Sequence, residues 1–122
     1  MLSRIAENYL RVIYELNEKK GFALTKDIAK TMCVKAPTVS EMTKKLVAAG
    51  LIIHTKNGPL VLSEEGKRKG ETIKKRYEVF LKLFTIAGVE PQTAYMDACY
   101  LEHHLSEETV SKLVAFVDQL EK

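Results

Sequence analysis

The sequence predicts a mainly α-helical protein, in which an N-terminal winged helix-turn-helix is followed by a second helical domain. Two observations lead to this prediction. Apolar residues recur at helical spacing along most of the chain, and a turn-forming segment at residues 56–59 separates two short apolar runs that follow three helical segments. We therefore expect a winged helix-turn-helix in residues 1–70 and a helical domain in residues 71–122.

The individual elements are predicted from periodicity and from the residues that start and stop helices. Gly21, Gly50 and Gly88 follow helical patterns and are expected to end them, whereas Ser63 and Ser106 precede such patterns as N-caps. The predicted helices cover residues 3–18, 26–32, 37–49, 64–87, 91–104 and 107–120. The predicted strands of the hairpin cover residues 51–53 and 60–62.

The second and third helices are separated by a turn of only three residues, 33–35. Thr25 is expected to cap the second helix, and Pro37 lies in the first turn of the third, where proline is favoured. Cys33, within the turn, is interpreted as a small buried side chain, with a redox-sensing thiol as the alternative. A short helix, a tight turn, a second helix and a hairpin together form a winged helix-turn-helix.

Composition and charge restrict the class of protein. No run of about 18 apolar residues suggests a membrane span, and the first ten residues lack the apolar segment of a signal peptide, so we expect a cytoplasmic protein without membrane contact. Residues 1–62 carry a net charge of +5, and residues 63–122 a net charge of −2. A basic first half suits a polyanionic partner such as DNA.

The third helix is the one that would enter the major groove of DNA. Small hydroxyl side chains near its start can approach base edges and phosphates, and the surrounding lysines can neutralise phosphates. The candidate DNA-contacting residues are Lys26, Lys35, Pro37, Thr38, Ser40, Glu41, Lys44, Lys45 and, at the tip of the hairpin, Lys56. The alternative is that the hydroxyls only cap the helix and the lysines are solvated surface.

A candidate metal site lies in the second half of the chain. Cys99, Glu102 and His103 are spaced i, i+3 and i+4, so they share one face of a helix. A thiolate, a carboxylate and an imidazole can bind a divalent transition metal. From spacing alone, a surface Glu-His-His run beside a core cysteine is the commoner explanation. The sequence contains no HExxH motif and no paired CxxC, which argues against a zinc hydrolase.

Four segments together resemble the diphtheria toxin repressor family of metal-activated repressors. They are AENYLRVIYEL, DIAKTMCVKAPTVSEMTKKLVAAGLI, GPLVLSEEGK and DACYLEHHLSEE, in that order. The resemblance covers essentially the whole chain. Because the chain ends after the expected dimerisation region, it is similar to the short, two-domain members, the manganese transport regulators, which lack an SH3-like third domain.

The resemblance implies a metal site and a function. The ligands at the matching positions are Cys99, Glu102, His103 and, on the first helix, Asn8, where iron-type members carry Met and manganese-type members Asp. Arg11, Tyr77 and Tyr95 stand where the family places ligands of a second metal, so one metal per subunit is expected, with Arg11 as a substitute cation.

We thus expect a metal-dependent repressor of metal-homeostasis genes, not an enzyme, that binds a palindromic operator as a homodimer. Cys99 favours a soft divalent ion, so Fe(II) is preferred over Mn(II). The dimer surface is expected to involve the long and last helices, with Phe80, Phe84, Leu113 and Val117 as dimer or core residues. The alternative is a winged-helix DNA-binding regulator without metal control.

Overall fold

A computed structural model of the chain describes residues 2–54 and 58–120, except for the side chains of residues 102 and 103. It divides into two compact units, Met1–Glu71 and Thr72–Lys122. The predicted fold class, a mainly helical protein that begins with a winged helix-turn-helix, is confirmed. The elements are α1 (Arg4–Lys20), α2 (Thr25–Met32), α3 (Ala36–Ala48), β1 (Ile52–His54), β2 (Leu60–Leu62), α4 (Glu64–Ile86), α5 (Pro91–His104) and α6 (Glu107–Leu120).

The core of the first unit is formed where α1, α2 and α3 pack together. Leu10, Ile28 and Leu46 are completely buried there. Burying an aliphatic side chain of this size stabilises the fold by about 1.5–3 kcal/mol. On α3, Thr43 is also buried, because its hydroxyl donates a hydrogen bond to the carbonyl of Val39, one turn earlier (2.8 Å). The described part of the chain contains no helix long and apolar enough to cross a membrane.

The hairpin pairs β1 with β2 in antiparallel register, with Ile52 opposite Leu62. A third segment joins it, since Ala23 and Leu60 exchange two backbone hydrogen bonds of 2.9 and 2.8 Å. No strand is predicted from the sequence at this point. The pairing fixes the start of α2, whose N-cap is Leu24; Thr25 is the first helical residue, so its predicted capping role is wrong.

Cys33 is exposed, which contradicts its interpretation as a buried side chain. It ends α2 in the left-handed conformation, with φ of 58°, and is the one described non-glycine residue with positive φ. Its N–H donates to the carbonyl of Lys30, and the N–H of Val34 donates to that of Ala29. This is the Schellman arrangement, in which glycine is usual. The requirement of the turn is therefore conformational and does not depend on packing.

Cys33→Gly is expected to stabilise the protein by about 0.5–1 kcal/mol, because glycine adopts positive φ without the steric cost of a Cβ atom. Urea unfolding followed by circular dichroism measures the change. Cys33→Ala is the matched control, since it removes the thiol and keeps the strain. A glycine variant no more stable than the alanine variant would contradict this explanation.

Two glycines of α4 allow close packing in the first unit. A Cβ atom added at Gly66 would lie 2.0 Å from the carbonyl oxygen of Leu51. One added at Gly70 would lie 2.8 Å from Cβ of Tyr14 on α1. Both glycines are buried and lie one turn apart on α4. The absence of a side chain at these positions lets Leu51, just before β1, and α1 approach α4 directly.

The second unit has its own core, formed by α4, α5 and α6. Phe80, Ala98 and Val117 are at most 1% exposed within a single chain, so Phe80 and Val117 are core residues rather than dimer contacts. Phe84 and Leu113 are partly buried against the same cluster. Of the two predicted roles, dimer contact or core residue, the core role therefore applies to Phe80 and Val117.

The N-terminal ends of α5 and α6 are capped by side chains. Ser106 accepts a hydrogen bond from the N–H of Thr109, as expected of an N-cap. Glu90 caps α5 by accepting from the N–H of Thr93, and this backbone hydrogen bond lowers the pKa of the Glu90 carboxyl group. Since the folded pKa lies below the unfolded one, this contribution to stability is present above the unfolded pKa and is lost as the pH falls through the folded value.

Candidate nucleic-acid interface and metal centre

One face of α3 is fully available to a partner. Val39, Thr43 and Leu46 turn inward, and the positions between them are exposed except for Met42, which is half-buried. The candidate residues on and before this helix, all exposed, are Lys35, Pro37, Thr38, Ser40, Glu41, Lys44 and Lys45. Hydroxyls, lysines and one carboxylate thus share the solvent side of the helix that follows the tight turn. Val47, an apolar residue near the end of the helix, is 39% exposed.

The start of α3 suits the approach of an anion. Lys35 is the N-cap residue but makes no side-chain capping hydrogen bond, and Pro37 occupies one of the first two helical positions. The free N–H groups of a first turn attract negative charge, and the lysine at the cap adds a full positive charge. Glu41 makes no ion pair among the described residues, so its carboxylate remains available to accept hydrogen bonds.

A groove lies between the start of α2 and the hairpin. Lys26 and His54 line it, together with Thr25 and Pro59. Lys26 and His54 are both exposed and lie in the same unit as α3. Lys56, the candidate at the tip of the hairpin, lies outside the described residues. The groove adds His54 to the set of groups that can face a phosphate backbone.

The candidate metal ligands of the second unit lie on α5. The helix runs from Pro91 to His104, so its backbone places residues 99, 102 and 103 one turn apart. Cys99 is half-buried against the core cluster of the unit and forms no disulfide. The side chains of Glu102 and His103 lie outside the described part of the chain, within which no group of three His, Cys, Asp or Glu residues forms a metal site.

Asn8, on α1, carries an unsatisfied polar atom. Its side-chain oxygen Oδ1 is buried and has no hydrogen-bond partner among the described residues. Leaving a buried acceptor unsatisfied costs about 1–3 kcal/mol, so such an atom usually has a functional explanation. An amide oxygen can also coordinate a divalent cation. The chemistry of Asn8 therefore fits a metal ligand.

At the three positions where no second metal is expected, the side chains make other interactions. Arg11 is 4% exposed and pairs with Glu15 on the next turn of α1. Tyr77 and Tyr95 pack edge to face, with ring centroids 5.8 Å apart. A paired arginine and two packed phenols are not ligands for a soft divalent metal.

Some surface residues were not identified from sequence. Tyr95, Met96 and Tyr100 on α5 and Phe116 on α6 are 39–63% exposed. Exposed apolar side chains of this size, grouped in one small unit, are typical of protein interfaces. The signal in the sequence was the pattern of α5, which carries apolar residues on more than one face and so cannot bury all of them.

A winged helix-turn-helix with an exposed, lysine-rich α3, joined to a small helical unit, defines a DNA-binding transcriptional regulator. Residues 1–60 match the family profile described as iron dependent repressor, N-terminal DNA binding domain. Residues 63–122 match the profile for the metal binding and dimerisation domain of the same repressors. The chain therefore belongs to the iron-dependent repressor family, which confirms the predicted resemblance to the diphtheria toxin repressors. It is a transcriptional regulator that acts on DNA as a homodimer and under metal control, and not an enzyme.

Individual relatives agree with this assignment. The chain is 34% identical over 116 residues to the HTH-type transcriptional regulator MntR of Bacillus subtilis (strain 168), covering 95% of this chain and 82% of the relative. The solved structure of the manganese regulator SloR superposes with a TM-score of 0.79 at 31% identity, covering 93% of this chain. A manganese-dependent transcriptional repressor in complex with manganese gives a TM-score of 0.80 at 27% identity, also over 93%. The chain spans about half the length of these two structures, 53% and 52%.

Proposed function

We propose that this protein represses metal-homeostasis genes in the cytoplasm by binding palindromic operators as a metal-loaded homodimer. Residues 1–70 bind DNA, and residues 71–122 hold the metal and the second subunit. The observation that carries the proposal is the solvent face of α3, where hydroxyls and lysines are exposed while the opposite face is buried. It lies in the part of the chain that matches a DNA-binding domain.

In the proposed complex, α3 enters the major groove. Thr38, Ser40 and Glu41 face the base edges; the carboxylate of Glu41 accepts from a cytosine amino group, since it would otherwise repel phosphate. Phosphates are neutralised by the lysines around the helix, which are Lys26, Lys35, Lys44 and Lys45. Lys56, in the turn of the hairpin sequence, is the further lysine assigned to the DNA. Pro37 sets the helix start so that the first turn approaches the backbone of the DNA.

The metal is held by Cys99, Glu102 and His103 of α5 together with Asn8 of α1, one ion per subunit. Cys99 is half-buried in a packed unit, which limits the freedom of its thiol. The side-chain oxygen of Asn8, which has no hydrogen-bond partner among the described residues, supplies a neutral fourth donor. When bound, the ion supplies the positive charge that binds these donors together. Arg11, paired with Glu15, provides the cation at the position of a second metal.

We propose Fe(II) as the preferred ion and Mn(II) as the second choice. A thiolate is a softer ligand than a carboxylate, and it selects ions later in the divalent series. The similar protein SloR is named as a manganese regulator, so the preference has to come from this chain's own donors. Cys99 and Asn8 are the two donors from which the preference follows.

The second subunit covers the exposed apolar side chains of the metal-binding unit. Met96 and Tyr100 of α5 are 63% and 50% exposed, and Phe116 and Leu120 of α6 are about half exposed. The last two lie one turn apart on the same side of α6. Phe80 and Val117 are already buried within one chain and belong to the core of the same unit.

The test is a DNA-binding titration by fluorescence anisotropy on a palindromic operator, with chelator, anaerobic Fe(II) and Mn(II) compared in parallel. Metal is expected to tighten binding by about 5–150-fold, the usual range of allosteric coupling, with the larger effect for Fe(II). Equal binding in chelator and in metal would favour the alternative, a winged-helix regulator without metal control. A larger effect of Mn(II) would overturn the proposed preference.

Lys44→Ala is expected to weaken binding to every DNA sequence and to reduce the slope of log K against log salt by about one, because one phosphate contact is lost. The slopes of the parent protein and of the variant are measured by fluorescence anisotropy between low and moderate salt concentration. Lys112→Ala removes an equally exposed lysine from the metal-binding unit and serves as the control. An unchanged salt slope in Lys44→Ala would exclude a phosphate contact at this position.

A further inference from the structure

A surface groove in the second unit presents an incompletely paired arginine. It lies between α4 and α6 and is lined by Lys75, Arg76, Glu107, Val110, Ser111 and Val114. The side chain of Arg76 is only 17% exposed. Its Nε atom is buried and has no hydrogen-bond partner among the described residues. A guanidinium group that is largely removed from water normally has its donors satisfied, so the groove requires an explanation.

Glu107 satisfies only part of this guanidinium. One carboxylate oxygen, Oε1, accepts from Nη2 of Arg76 at 3.0 Å. Nε and Nη2 form the two parallel donors of one side of a guanidinium, and carboxylates commonly fill both at once. The side chain of Glu107 is 82% exposed at the start of α6, and exposed ion pairs contribute only about 0–1 kcal/mol. The ion pair between Glu107 and Arg76 is therefore weak enough for another anion to displace Glu107.

The remaining lining of the groove indicates the class of competitor. Val110 and Val114 provide an apolar wall, and Ser111 provides a hydroxyl next to it. Thr72, Lys75 and Ser111 add polar groups beside Arg76, but a phosphate dianion would leave the apolar wall of Val110 and Val114 without a partner. A small carboxylate with an aliphatic tail suits the groove better, since its two oxygens match the Nε–Nη2 pair and its tail matches the valines.

We propose that this groove binds a small organic carboxylate, which displaces Glu107 and pairs with both Nε and Nη2 of Arg76. The ligand would be a short-chain aliphatic acid, and its site is separate from the residues assigned to metal and DNA. Since it joins α4 to α6 in the metal-binding and dimerisation unit, occupancy would stabilise the packing of α6. The proposal does not depend on the metal assignment.

The probe is sodium isobutyrate, titrated into the full-length ¹⁵N-labelled protein, with sodium chloride at equal ionic strength as the reference. Saturable shifts are expected for the backbone amides of Arg76, Glu107 and Ser111. Glu107→Gln is expected to tighten binding by about two- to fivefold, because it removes the competing carboxylate. Glu108→Gln removes an adjacent exposed charge from the same helical turn and should leave binding unchanged.

Arg76→Gln should raise the dissociation constant at least about tenfold, the loss expected for hydrogen bonds to a charged group. Arg76→Lys, which keeps the charge without the paired donors, should weaken binding in the same direction and covers the case in which Arg76→Gln does not fold. A dissociation constant that is unchanged in Arg76→Lys, shifts that do not saturate, or shifts that chloride reproduces would overturn the site. Tighter binding of inorganic phosphate than of isobutyrate would overturn the ligand class.

Discussion

Alanine at Cys99 or His103 is expected to abolish the metal dependence of DNA binding. The dissociation constant measured with Fe(II) should rise to the value measured with chelator, a loss of about 5–150-fold, because the ion loses one of its few protein ligands. Binding in chelator should change little, since both substitutions lie outside the DNA-binding unit. Fluorescence anisotropy in the two conditions measures the ratio directly.

The chain offers a matched control for each substitution. Cys33→Ala removes the other cysteine, which is exposed in the turn after α2, and His104→Ala removes the neighbouring histidine, whose ring stacks on Tyr100. Both controls should keep the metal response. Unchanged metal dependence in Cys99→Ala or His103→Ala would remove the assigned site and leave the DNA-binding assignment intact.

Gly66→Ala is expected to destabilise the protein by about 3 kcal/mol, the upper end of the usual cost of overpacking and the largest effect foreseen on stability. In an exposed helix the same change stabilises by about 1 kcal/mol, so the sign is reversed here. The new Cβ would lie 2.0 Å from the carbonyl oxygen of Leu51 and 2.9 Å from its carbonyl carbon. These are backbone atoms, and no rotamer change relieves the overlap.

Leu51 has little freedom to retreat. Its N–H donates to the carbonyl of Leu46 at the end of α3, and its carbonyl accepts from the N–H of Ser63 at the start of α4. Any shift breaks one of these hydrogen bonds. Urea unfolding of Gly66→Ala against Lys69→Ala, an exposed position of the same helix, provides the comparison; the control should stay within about 0.5 kcal/mol of the parent. A Gly66→Ala midpoint at or above that of the parent would refute the close approach.

The ends of the elements were predictable because they are determined locally. Ser63 accepts from the N–H of Gly66, and Gly50 donates to the carbonyl of Val47, so both act within a few residues of their own position. The same holds for Gly21, which ends α1 in the left-handed conformation. Long periodic segments such as α4 and α6 agree with their predicted bounds to within one residue, because a regular apolar pattern has one helical solution.

The candidate site was predictable in part. The solvent face of α3 follows from its periodicity, since burying Val39 and Leu46 necessarily exposes Ser40 and Lys44. The unsatisfied oxygen of Asn8 does not follow from any local pattern. Whether a polar atom is paired depends on which groups surround it in space, and the sequence carries no direct record of that.

The sequence by itself determined the winged helix-turn-helix, the order of its elements and the residue types on α3 and α5, since these depend on neighbours within one or two turns. Only the tertiary structure decided that Ala23 pairs with Leu60, that Gly66 must lack a side chain, and that Nε of Arg76 has no hydrogen-bond partner among the described residues. Each of these features arises from contact between segments distant along the chain. Their energies depend on distances of a few tenths of an ångström, which hydrophobic periodicity does not encode.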